Sequence, residues 1–110
     1  MLDNGMEAAA IKFVKSIKET EVYKKYNYQL RKIKEEPELF AKVNEFRERN
    51  YELQNTSHVD ELFDKMDAFE KEYEKLRDNP LVDEFLTAEL AFCRMMQEID
   101  VFITNKLDFE

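Results

Sequence analysis

The chain has 110 residues, 38% of them charged, a formal net charge of −8, one cysteine, one glycine and two prolines. That length suits one domain with one modest core. An acidic balance repels phosphate backbones and anionic lipid, which argues against nucleic acid or a membrane as the main partner, and the lone Cys93 excludes an internal disulfide or a multi-cysteine metal site built from this chain alone.

The scarcity of Gly and Pro, set against many Glu, Lys, Leu, Ala and Met, predicts an all-α protein. Met6, Ala10, Phe13 and Ile17 share one face of a helix over about 3–19. Thr20 reads as the N-cap of a second helix, on which Tyr23, Tyr26, Leu30 and Ile33 continue the spacing to about residue 35. Pro37 biases Glu36 away from helical geometry and suits the first turn of a third helix, with Leu39, Val43, Phe46 and Leu53 as its stripe. That helix runs to about 54. Asn55-Thr56-Ser57-His58 reads as a break in which Ser57 caps and Asp60 completes a capping box, although no Gly or Pro forces an interruption and one continuous helix stays open.

Val59, Leu62, Met66, Phe69, Tyr73 and Leu76 form a heptad-like run, which predicts a helix packed against another helix. Asp78-Asn79-Pro80 then closes that helix and opens the next, with Asn79 as N-cap and Pro80 in the first turn. The last helix covers about 80–106 and is apolar over more than one face. Leu81, Phe85, Ala88, Phe92, Met95, Ile99 and Phe102 make one stripe, and Val82, Leu86, Cys93, Met96 and Ile103 make a second. Either one stripe meets the fold and the other a partner, or the helix is central and buried by several neighbours.

Residues 1–20 lack a basic start followed by an apolar run, so no signal peptide is expected and the cytoplasm is the expected location. Asp83, Glu84, Glu89, Arg94, Glu98 and Asp100 put too many charges into 81–107 for a bilayer span. Charge is also uneven: residues 1–35 hold eight Lys/Arg against five Asp/Glu, and residues 36–110 nine against twenty.

The chemical inventory is thin. His58, the only histidine, sits in the break and reads as a loop residue rather than a general base or metal ligand. No phosphate-cradling loop can be built around the lone Gly5. Cys93 lies on the apolar helix, where a free cysteine behaves as a small hydrophobe; its functional reading is a thiolate beside Arg94, or one ligand of a metal site shared between chains. Glu35-Glu36 and Glu70-Lys71-Glu72 fall away from the stripes and read as solvated faces. Glu89 interrupts the second stripe, where a buried carboxylate needs an Arg or Tyr partner, so a structural contact is favoured over catalysis. Tyr23, Tyr26 and Tyr28 interleave with Lys24, Lys25, Arg31, Lys32 and Lys34 in a composition that could stack on single-stranded RNA, against a bland reading of buried aromatics with snorkelling cations.

Three segments resemble the YlbF/YmcA family of small helical bacterial regulators: Ile17-Lys18-Glu19-Thr20-Glu21-Val22-Tyr23 leading to Tyr26, Pro37-Glu38-Leu39 through Val43-Asn44-Glu45-Phe46-Arg47, and Asn79-Pro80-Leu81-Val82-Asp83-Glu84-Phe85-Leu86-Thr87-Ala88-Glu89. The resemblance implies a protein that assembles with related small helical proteins and influences competence, sporulation or biofilm programmes, in some members through an mRNA-processing endoribonuclease. Some members are associated with cysteine-bound iron-sulfur clusters, a property not carried over to a chain with Cys93 alone.

The expectation is therefore a single domain over 1–110, an antiparallel bundle of about four to five helices with a long apolar C-terminal helix. The expected role is a non-enzymatic regulatory adaptor without cofactor or metal. Phe85, Phe92, Met95, Met96 and Phe102 are expected to bury an apolar face against a second copy, a related helical regulator or an endoribonuclease. The rival readings are an RNA-contacting accessory protein using residues 24–34, a homo-oligomeric structural protein, and a small enzyme using Glu89 and Cys93.

Overall fold

The structure, a computed structural model, describes residues 1–55 and 59–108, with the backbone alone for residue 54 and residues 59–63. Among these the protein is all-α, with helices α1 (Asn4–Lys18), α2 (Glu21–Lys34), α3 (Pro37–Gln54), α4 (Val59–Arg77) and α5 (Pro80–Lys106) and no strand.

Local chemistry explains most helix ends. The Asp3 carboxylate accepts from the Met6 amide at 2.7 Å and caps α1. Thr20 works on both sides of the next junction: its hydroxyl donates to the Ile17 carbonyl at 2.7 Å and accepts from the Tyr23 amide at 3.1 Å, so one side chain ends α1 and begins α2. Pro37 occupies the first turn of α3, where its missing N–H leaves no bond unmade. Asn55 closes α3 by donating its side-chain amide to the Tyr51 carbonyl at 2.8 Å. Asn79 caps α5 by accepting from the Leu81 amide at 3.0 Å. The expected Ser57 cap, its Asp60 partner, His58 and the question of continuity across 55–58 lie outside the described residues.

Packing divides the chain into two compact units, Met1–Tyr28 with Thr87–Glu110, and Gln29–Leu86; α2 and α5 each contribute to both. In the second unit Ile33, Val43, Phe46, Val82 and Phe85 are buried. There Phe46 stacks on Phe69 (4.3 Å between centroids) and on Tyr73 (5.0 Å). Leu39 lies near Leu76 and Asn79, while Leu53 lies near Lys65 and Phe69, so α3 and α4 run antiparallel. Arg49 and Glu72 bridge their outer edge. The heptad-like run of α4 is filled unevenly: Phe69, Tyr73 and Leu76 are half-buried and Met66 is exposed.

Arg77 ties the end of α4 to the start of α5. Its Nε donates to Asp83 at 2.6 Å and its Nη1 to the Tyr73 hydroxyl, with the guanidinium 5.2 Å from the Tyr73 ring centroid. The hydrogen bond to Asp83, opposed by partial burial and helped by Tyr73, holds the Arg77 pKa above its ordinary value.

The first unit has a lighter core. Ile17 and Ala88 are buried, and Tyr26 stacks on Phe92 at 4.9 Å with 7° between the rings. Tyr23 meets the same Phe92 ring at 5.8 Å in a tilted arrangement.

Candidate protein-interaction surface

The apolar residues of α5 meet different surroundings along its 27 residues. In its first third both stripes turn inward: Val82, Phe85 and Ala88 are buried, and Leu81 and Leu86 half-buried. Beyond Ala88 only the first stripe is covered, through Phe92, Met95 and Ile99. Cys93, Met96, Phe102 and Ile103 are exposed. Each of the two arrangements expected for this helix thus describes one part of it: central toward its start, one-sided toward its end.

The five residues expected on a partner face therefore separate. Phe85 has 0% of its surface exposed and lies beneath the Arg47 guanidinium, 5.0 Å from its ring centroid. It is a core residue, because a side chain with no accessible surface has none to offer a partner. Phe92 and Met95 are half-buried, with Phe92 held against Tyr23 and Tyr26. Met96 and Phe102 remain open, Phe102 at 62% exposure with Lys106 resting 5.6 Å from its ring centroid.

The structure adds residues that sequence reasoning had turned inward. On α1 only Ile17 is buried, while Met6, Ile11, Phe13 and Val14 are all exposed. Met6 and Phe13 share the spacing of Ile17, and spacing alone cannot tell a covered turn from an open one. Both helix segments belong to the first compact unit, where most of the exposed large hydrophobic side chains among the described residues are found. Such a concentration is unusual for a surface without a binding role.

The candidate catalytic groups Glu89 and Cys93 lie one turn apart on α5. Cys93 is exposed on α5 and Glu89 half-buried, and among the described residues no group of three or more His, Cys, Asp or Glu could hold a metal ion. Glu70, Glu35 and Glu36 are exposed, and Glu72 is engaged by Arg49. Two grooves of about 320 and 430 Å³ follow the α3–α4 seam on either side of that ion pair, with Phe69, Phe46 and Leu76 among their apolar walls.

The basic segment 24–34 is partly spent within the fold. Lys24 lies 3.7 Å from Glu21 and Lys32 lies 4.0 Å from Glu84, and Phe92 holds both Tyr26, stacked on it, and Tyr23, tilted against it. No helix among the described residues is long and apolar enough to cross a membrane.

Fold and surface together define an all-helical protein whose most prominent exposed chemistry is apolar area on two helices. A model of the family described as control of competence regulator ComK, YlbF/YmcA, matches residues 6–108, and the chain belongs to that family. The family's description is regulatory. Comparison with curated proteins and with solved structures gives no match.

Proposed function

We propose that this protein is a non-enzymatic regulatory adaptor, acting in the cytoplasm within a competence-type control system, and that it works by burying the exposed apolar strip of its first unit against protein partners. The observation that carries the reading is Phe102, open at 62% among Met96, Val101 and Ile103, which are exposed on the same stretch of α5. Large apolar side chains of this kind supply interface area, and a few of them dominate binding. A second copy, related helical regulators and an mRNA-processing endoribonuclease are the partners in view. Family membership over residues 6–108 supports the regulatory half of the reading.

The test is affinity purification of the tagged protein from its host, comparing the native chain with Met96→Glu and Phe102→Glu. Both positions are exposed, so the variants keep their helical content. Loss of specific co-purifying proteins together with loss of regulation supports the adaptor reading. Unchanged association and regulation in both variants overturns it.

RNA contact through residues 24–34 is the second reading. It predicts binding to single-stranded RNA that falls steeply with salt. The ion pairs of Lys24 and Lys32 and the ring contacts of Tyr23 and Tyr26 with Phe92 weigh against it.

A further inference from the structure

We draw no further inference here: the strongest candidate, the groove of about 430 Å³ along the α3–α4 seam with Leu39, Phe46 and Leu76 among its walls, carries cations and acids in near balance at its rim, Lys42, Arg49 and Lys75 against Glu45 and Glu72, so its charge selects no ligand and nothing in the structure shows what covers it.

Discussion

Phe85 and Phe102 occupy the same helix, 17 positions apart, and the structure assigns them opposite energetics. Phe85→Ala removes a ring with no accessible surface and empties the space beneath Arg47. A buried Phe→Ala change costs about 3–5 kcal/mol in transfer and cavity terms, and loss of the guanidinium–ring contact adds up to about 1 kcal/mol. Total stability for a domain of this length is about 5–15 kcal/mol, so this one change removes a large fraction of it. Phe102→Ala, at 62% exposure, should cost under about 1 kcal/mol. The assay is urea denaturation followed by circular dichroism, at concentrations low enough to keep the chain monomeric. Midpoints should separate the two variants widely while the denaturant slope stays the same. Equal losses, or a Phe85→Ala cost below about 1.5 kcal/mol, would refute the assignment of one ring to the core and the other to the surface.

Gln29 is buried and its side-chain oxygen has no hydrogen-bond partner among the described residues, so Gln29→Met should stabilise the fold by about 1 kcal/mol, read as a rise of several degrees in thermal midpoint; a fall would show that the amide is satisfied. Thr20→Ala removes a hydroxyl that serves two helix ends and should cost about 1–2 kcal/mol in the same denaturation assay, whereas Thr20→Ser should recover most of it. Arg77→Met keeps the aliphatic stem but loses the contacts to Asp83 and Tyr73, and should cost about 1–2 kcal/mol. Adding Asp83→Asn to Arg77→Met should then cost little more, because the two groups act as one pair.

Much of the architecture was legible in residue order because helix signals are local. Thr20, Pro37 and Asn79 mark boundaries through bonds made, or left unneeded, within a few residues of themselves. The expectation of no catalytic constellation rests on composition alone, since one histidine, one cysteine and one glycine offer few combinations.

The candidate interaction surface was legible only in part. Periodicity reports which residues share a face, and Phe85 and Phe102 share theirs through a clean run of three- and four-residue steps. It carries no information on where along the helix the covering elements stop. At about 1.5 Å per residue, the 27 residues of α5 extend about 40 Å, whereas the 14 residues of α2 extend about 21 Å. Sequence by itself determined that this protein would be helical, where most of its helices would end and which sides of them would be apolar. Tertiary structure decided which of those apolar turns are buried, because burial depends on what reaches a turn from distant parts of the chain. That difference makes Phe85 a core residue and leaves Phe102 exposed.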